Sequence, residues 1–365
     1  MYGRFESDSN ILSFICGMQD SPDSRFMKRA LELALLGAGN VAPNPMVGCV
    51  IVHHGKIIGE GYHAFYGGHH AEVNAIASVA NQDVLKESTL YVTLEPCAHF
   101  GKTPPCASLI VEKGIPRVVV GCRDPFSEVN GKGIELLRRA GVEVMVDVLL
   151  EECRELNKRF FTFHEKKRPY VVLKWAVSAD GFMDIDRISG QRGSVMISHP
   201  DTQVLVHQWR ADEASILIGK NTLLNDNPSL TVRRVEGKNP LRIVLSEAAI
   251  DLQGYLLGDG EAPTLVVTND EERSEGGIRY LACGNVHDVS CVLNRLHKEN
   301  VLSVLVEGGA AVLQSFLESG LWDEARIIVS EQALGSGLAS PIISMAASYE
   351  EQSATDTIRF YFNKS

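Results

Sequence analysis

Two segments well separated in the chain must meet before either makes chemical sense, and no other feature restricts the fold as much. The first is Gly67-Gly-His-His-Ala-Glu-Val73; the second is Thr93-Leu-Glu-Pro-Cys-Ala-His-Phe-Gly-Lys-Thr-Pro-Pro-Cys106. His70, Cys97 and Cys106 form a donor set that holds Zn²⁺ and leaves a fourth position for water. That is the arrangement of a catalytic rather than a closed structural zinc. Glu72, two residues beyond the His, can move protons without being a ligand.

The pattern follows the H-x-E…P-C…C logic of zinc deaminases, in which an exocyclic amine is replaced by oxygen. Eight residues separate the two Cys, against two in the common P-C-x-x-C ending. Ala98 to Pro105 therefore read as an excursion that returns Cys106 to the first turn of a helix spanning Ala107 to Lys113. Pro104-Pro105 suit such a start. The H-x-E spacing selects His70 over His69 and His99, which read as first-turn or substrate-facing residues. With eight Cys and eleven His in the chain, chance proximity is the competing reading. Glu72 and Pro96, each in its required place, outweigh it.

Around this motif the chain alternates helices and strands. Helix Arg25 to Leu36 precedes strands Val47 to Val52 and Lys56 to Tyr62. Helix Ala71 to Val79, strand Thr89 to Leu94, strand Arg117 to Val120, helix Gly133 to Ala140 and strand Glu143 to Val146 follow. Such a series implies an α/β fold with a mostly parallel sheet covered on both faces. Helices starting at His70 and Cys106 aim two positive dipole ends at one cleft, which favours thiolate.

At 365 residues the chain is expected to hold two domains. The polar-aromatic, basic stretch Asn157 to Pro169 reads as the boundary. The domains are expected at 21–166 and 167–365, behind an N-terminal extension over 1–20 in which Met18 is a candidate start. In the second, strands Tyr170 to Val177, Ser215 to Ile218, Leu241 to Leu245, Thr264 to Thr268 and Ser303 to Glu307 alternate with helices Thr202 to Arg210, Cys291 to Lys298 and Ala310 to Ser319. Strand Glu324 to Val329 is expected to close the series.

A net charge of −11 argues against a strong grip on nucleic acid. Cysteines without paired spacing fit a reducing, cytoplasmic setting, and no apolar run approaches a membrane span. Gly308-Gly309, between a strand and a helix, lets a phosphate approach backbone N–H groups, although such turns are also ordinary connections. A full G-x-G-x-x-G is absent. Arg192, Arg210 and Arg233 could bind a phosphate; for any single Arg, a solvated face is the better reading. Lys174 leaves a buried strand as a lone cation.

Taken together, Pro43-Asn-Pro-Met-Val-Gly48, His70-Ala-Glu72, Thr93 to Cys106, Arg123-Asp-Pro125, Lys174-x3-Ser-x-Asp-Gly181, Asp226-Asn-Pro-Ser-Leu-Thr231 and Val306-Glu-Gly-Gly309 resemble the bifunctional deaminase–reductases of riboflavin biosynthesis. The resemblance runs from about Ser24 to the C-terminus, and the eight-residue gap between the Cys is the family's own. It implies a cytidine-deaminase-like first domain, an α/β/α sandwich, and a dihydrofolate-reductase-like α/β second domain. It implies one Zn²⁺ per chain, NADPH, and a small phosphoribosylated pyrimidine as substrate. A homo-oligomer (dimer or tetramer) is expected, with no nucleic-acid or membrane partner.

For the deaminase pocket it implies Asn44, His63, His99 and Lys102, with Glu72 catalytic. For the reductase it implies Lys174 as catalytic, and Ser194, Arg210, Leu230, Arg233 and Glu307 near the phosphoribosyl group. Val177, Met196, Thr222, Asp226 and the run Gly309, Ala310, Ala311, Val312, Leu313, Gln314 and Ser315 are implied near NADPH. The chain departs from the family at Ser194-Val-Met-Ile-Ser198, where Met196 stands for a Trp: apolar packing is kept and stacking is lost. After Lys174 it reads Trp-Ala-Val rather than small residues. A deaminase of cytosine nucleotides or tRNA with an inactive second domain is the nearest competitor; acidic charge and the matched second-half motifs weigh against it. A structural zinc in a regulatory protein would have no use for Glu72.

Overall fold

The computed structural model describes residues 21–98, 105–126, 130–188 and 191–363. The expected extension over 1–20, His99 and Lys102 lie outside the described residues. The chain divides between Lys166 and Lys167 into two compact units.

The first unit runs α1 (Pro22–Leu35), β1 (Gly48–His53), β2 (Lys56–Tyr62), α2 (Ala71–Ser78), β3 (Thr89–Leu94), α3 (Cys106–Glu112), β4 (Arg117–Cys122), α4 (Lys132–Arg139), β5 (Glu143–Met145), α5 (Leu150–Leu156) and α6 (Lys158–Glu165). Ser21 caps α1 by accepting the Ser24 N–H at 3.1 Å, with Pro22 at the first helical position. Alternation along the strands divides two cores. Val50 and Val52 pack with α1, while Cys49 and Ile51 pack with Ala71, Ala75 and Ala107 of α2 and α3.

The strand order is β2-β1-β3-β4-β5. The expectation of a mostly parallel sheet is corrected here: β1 pairs antiparallel with both β2 and β3, and only β3–β4–β5 are parallel. The β1–β2 connection is a two-residue turn, His54-Gly55, with both residues left-handed, so no crossover helix separates these strands. The division lies within the stretch Asn157 to Pro169, most of which is α6, burying Phe160, Phe161 and Phe163.

In the second unit come β6 (Tyr170–Val177), β7 (Phe182–Asp184), α7 (Thr202–Asp212), β8 (Ser215–Gly219), α8 (Lys220–Asp226), β9 (Leu241–Leu245), β10 (Thr264–Thr268), β11 (Arg273–Glu275), β12 (Ile278–Ala282), α9 (Val289–Lys298), β13 (Ser303–Val306), α10 (Ala310–Ser319), β14 (Glu324–Val329), β15 (Leu338–Ala339), β16 (Tyr349–Ser353) and β17 (Asp356–Phe362). The ten-stranded sheet has the order β11-β12-β10-β9-β8-β13-β6-β14-β17-β16. Strands β12 through β14 in that order are parallel; β14 does not close the sheet, because β17 pairs antiparallel with it and β16 with β17. β13 is inserted between β8 and β6, so the carboxyl ends of three central strands form one edge. In open α/β sheets, ligands bind at such an edge.

Gly61 on β2 lets α2 approach. A Cβ there would stand 2.3 Å from the Ala75 nitrogen and 2.5 Å from the Ala71 carbonyl oxygen. Gly61→Ala should push α2 off the sheet at a cost of at least about 1–3 kcal/mol, the range for overpacking. The expected drop in Tm is several degrees, with weaker zinc retention on dialysis. An unchanged Tm and metal content would remove Gly61 from this role.

Candidate active sites

His70 is the N-cap of α2, Glu72 lies in its first turn, and Cys106 opens α3. Cys97 follows β3 by three residues. The His70 Nδ1 lies 3.6 Å from Cys97 Sγ and 3.3 Å from Cys106 Sγ, and the three donor atoms all fall within 4.8 Å of one another. A tetrahedral zinc with Zn–S of about 2.3 Å and Zn–N of about 2.0–2.1 Å has ligand edges of roughly 3.5–3.8 Å. The two His70–sulfur edges therefore fit the ion with shifts of a few tenths of an ångström. The Cys106 N–H donates to Cys97 Sγ at 3.3 Å, which favours the thiolate. A hydrogen bond from the Cys106 thiol, helped by His70, holds Cys97 well below the ordinary thiol value; the same contact and burial push Cys106 up.

Glu72 is only 3% exposed, and burial together with the Cys97 charge pushes its carboxyl up to about 7. A group poised there can both take and give a proton near neutrality. His69 is exposed, and its carbonyl accepts from His63 Nδ1 at 3.0 Å. His63 is buried and lies 3.2 Å from Asn44 Nδ2 through its Nε2, and its ring meets that of His70 edge-on at 5.7 Å. Asn44, His63 and His70 thus form one wall.

Glu95 was not singled out by the sequence reasoning. It is 3% exposed, and its carboxylate accepts the N–H groups of Asp124, Gly131, Gly133 and Ile134 at 3.3, 2.9, 2.9 and 3.2 Å. These bonds fix the turn that carries Pro96 and Cys97 to the N-terminus of α4. Its only sequence signal was its place between β3 and Pro96.

On the second unit, Val306 pairs with Leu173, so Glu307 stands level with Lys174. Arg210 on α7 grips Glu307 with two bonds of 2.8 Å, and Lys174 Nζ lies 3.6 Å from it. The expectation of a lone Lys174 is corrected: this ammonium belongs to a half-buried trio. Burial lowers the Lys174 pKa against the pull of Glu307, and the two cations hold Glu307 down to about 2 despite its burial. Two cations on one carboxylate leave a net positive charge, suited to an anionic ligand or a polarised carbonyl.

Arg233 is exposed and donates to Thr231 Oγ1 at 2.9 Å and to Ser229 Oγ. Leu230, left-handed at φ +54°, turns into the core beside it. Arg192, Ser194 and Met196 lie on an exposed segment; among the described residues no hydrogen bond ties them to the trio. Thr222 and Gly309 are neighbours: a Cβ on Gly309 (φ +61°) would stand 3.0 Å from Thr222 Oγ1. Gly309 caps α10 with no side-chain bond, so the first N–H groups of α10 are available to a phosphate. The cradle fits a dinucleotide through backbone atoms, from Gly309 and Ala310 to Val312. Leu313 is in the core, Gln314 bonds Glu318, and Ser315 bonds back to the Ala311 carbonyl. Asp226 is paired with Arg187 at 2.7 Å, and Val177 is partly buried at the end of β6. A second donor group, His53, His54 and Glu87, sits on the surface with His54 and Glu87 largely exposed, in contacts of 3.6 and 4.0 Å that suit ordinary ion pairs.

Residues 20–122 match the cytidine and deoxycytidylate deaminase zinc-binding region, and residues 169–354 match the RibD C-terminal domain. The class is therefore a zinc deaminase joined in one chain to a reductase. The riboflavin biosynthesis protein RibD of Aquifex aeolicus is 41% identical over 323 residues, 87% of this chain and 89% of its own; that of Escherichia coli is 34% identical over 333 residues, 86% and 89%. The crystal structure of a diaminohydroxyphosphoribosylaminopyrimidine deaminase/5-amino-6-(5-phosphoribosylamino)uracil reductase from Thermotoga maritima superposes with a TM-score of 0.84 at 37% identity, covering 94% of this chain and 99% of that one. RibD of Acinetobacter baumannii gives 0.83 at 31%, with the same coverage. The chain belongs to the RibD family of bifunctional riboflavin-biosynthesis deaminase–reductases.

Replacing Glu95 with Ala leaves three buried donors and one half-buried donor without that acceptor. The expected cost is on the order of 3 kcal/mol, with zinc lost more readily than from wild type in a chelator competition. Wild-type stability and metal affinity in that variant would detach Glu95 from the site.

Proposed function

We propose that the first unit hydrolyses the C2 amine of 2,5-diamino-6-(5-phosphoribosylamino)pyrimidin-4(3H)-one. The second unit then opens and reduces the ribosyl group with NADPH, giving 5-amino-6-(5-phosphoribitylamino)uracil. The observation that carries this reading is the His70–Cys97–Cys106 donor set with buried Glu72 beside it, in a chain whose other unit holds the Lys174–Glu307–Arg210 trio.

Zinc supplies Lewis acidity that brings the pKa of a bound water to about 7. Glu72 accepts a proton from the attacking water and delivers protons to the ring nitrogen and the departing amine. Its burial keeps that carboxyl in a range where both steps are accessible. Asn44 and His63 hold the pyrimidine, with His99 and Lys102 assigned to the same pocket. NADPH supplies the hydride. Lys174 polarises the C1′ centre of the opened sugar, Glu307 orients ribose hydroxyls, and Arg210, Arg233, Ser194 and the Leu230 turn receive the phosphate end. Thr222, Val177, Met196, Asp226 and the α10 N-terminus from Gly309 hold the cofactor. Seven free thiols among the described residues support a reducing, cytoplasmic setting, and no described helix is long and apolar enough to cross a membrane. A homo-oligomer belongs to the same reading, and sedimentation of the purified chain tests it.

The direct test supplies the diaminopyrimidine phosphoribosyl compound and follows NADPH oxidation, which should depend on that compound and on zinc. Glu72→Gln should lower deamination by at least about 10²–10⁴-fold, while zinc stays bound and supplied deaminated substrate is still reduced. A deaminase rate above roughly a tenth of wild type removes the role given to Glu72. Lys174→Met should cut reductase turnover by roughly 10²-fold, the scale of one lost electrostatic donor. A raised KM at unchanged turnover would make Lys174 a binding residue instead.

A further inference from the structure

His207 has no part in the site described so far, yet its ring sits among the site's charged groups. It lies one turn before Arg210 on α7, so the two share a face of the helix. Only 3% of the residue is exposed. Its Nδ1 accepts the backbone N–H of Arg233 at 3.1 Å. An imidazole nitrogen that accepts a hydrogen bond carries no proton, so the neutral ring holds its proton on Nε2. Among the described residues, that Nε2–H makes no hydrogen bond.

The charged groups acting on the ring are Arg210 from its own helix, Arg233 and Arg234 from the loop after α8, and Glu307 after β13. Burial and the three guanidinium groups hold the pKa of His207 down to about 4, against the pull of Glu307. The ring is therefore a neutral, fixed donor in cationic surroundings. Arg233 makes no ion pair with a carboxylate among the described residues, and its guanidinium is tied only to hydroxyls of its own loop.

We propose that His207 is a phosphate-recognition residue of the reductase unit. Its Nδ1 fixes the backbone at Arg233, and its Nε2–H donates to an oxygen of the 5′-phosphate received by Arg210 and Arg233. The proposal rests on the reductase reading above. The ligand class is a sugar phosphomonoester, and the device selects the phosphorylated over the dephosphorylated substrate. A lowered histidine pKa also sets the direction of pH dependence. Folding favours the neutral ring, so its contribution is complete above about 6.5, the unfolded value, and is lost as pH falls towards 4. Below that, protonated Nδ1 can no longer accept from Arg233.

The test uses the full chain with zinc. His207→Asn keeps an acceptor near Nδ1 and removes the Nε2 donor. A hydrogen bond to a charged group is worth roughly 10- to 100-fold in affinity. The variant should therefore lower the ratio of reductase kcat/KM for the ribosylaminouracil with its 5′-phosphate to that without it by at least about 10-fold, chiefly through KM. An unchanged ratio overturns the proposal, whatever happens to the separate rates. A second measurement needs neither a variant nor turnover: in wild-type protein with ¹⁵N-labelled histidine, D-ribose 5-phosphate should shift one Nε2–H resonance. That imidazole should stay neutral down to about pH 5. If D-ribose 5-phosphate moves no Nε2–H resonance, the proposal fails. Should wild type bind that probe with the expected shift but fail to oxidise NADPH with substrate, the reductase reading falls and the phosphate site stands.

Discussion

Glu307 sits with both oxygens on the Arg210 guanidinium and the Lys174 ammonium close by, all three largely shielded from solvent. Removing a carboxylate from water costs several kcal/mol unless opposite charge and hydrogen bonds replace the solvent. That requirement organises the second unit. The strand carrying Lys174, the helix carrying Arg210 and the strand leading to Glu307 must arrive in register, or a charge is stranded. Insertion of β13 between β8 and β6 achieves the register, since it brings Val306 beside Leu173 and Leu217. The first unit solves the same problem differently. Glu95 is buried against four backbone N–H groups rather than against cations, and so pins a turn instead of creating a charged pocket.

The contrast in charge follows the contrast in chemistry. Near the zinc donors the notable group is Glu72, whose carboxyl is pushed up because burial and the Cys97 charge outweigh the pull of His70. In the reductase unit the carboxylate is pushed down, and the cations outnumber it. One environment suits a proton carrier near neutrality. The other suits a fixed field around an anionic sugar phosphate and a carbonyl under attack.

Much of this was legible in the chain. Thr89–Leu94, Tyr170–Val177, Leu241–Leu245, Thr264–Thr268 and Glu324–Val329 are short apolar runs between breakers, and the structure ends them where the runs end. Strand direction was not legible, because alternation of side chains is the same for parallel and antiparallel neighbours; hence the error at β1 and β3. The α6 segment, with three Phe and a Thr in eight residues, has modest helical propensity and becomes helical by burying its aromatic face. The β16–β17 pair was missed since Tyr349–Ser353 is largely polar. His70, Glu72, Cys97 and Cys106 could be found from spacing alone. Glu95 and His207 could not, because their partners are backbone N–H groups brought to them only by the fold.

The separation of the two sheets also has a consequence for how the chain is made. Every strand of the first sheet lies between residues 48 and 145, and the helices that cover it end at Glu165. During synthesis that unit can therefore complete its sheet and gather its zinc donors before β6 has emerged. The second sheet cannot do the same. Its strand β14 lacks a neighbour on one side until β17, which ends at Phe362, has emerged. A nascent chain thus passes through an interval in which the metal site is assembled while the hydrophobic edge of β14 still waits for its partner. That interval is where aggregation would compete with folding.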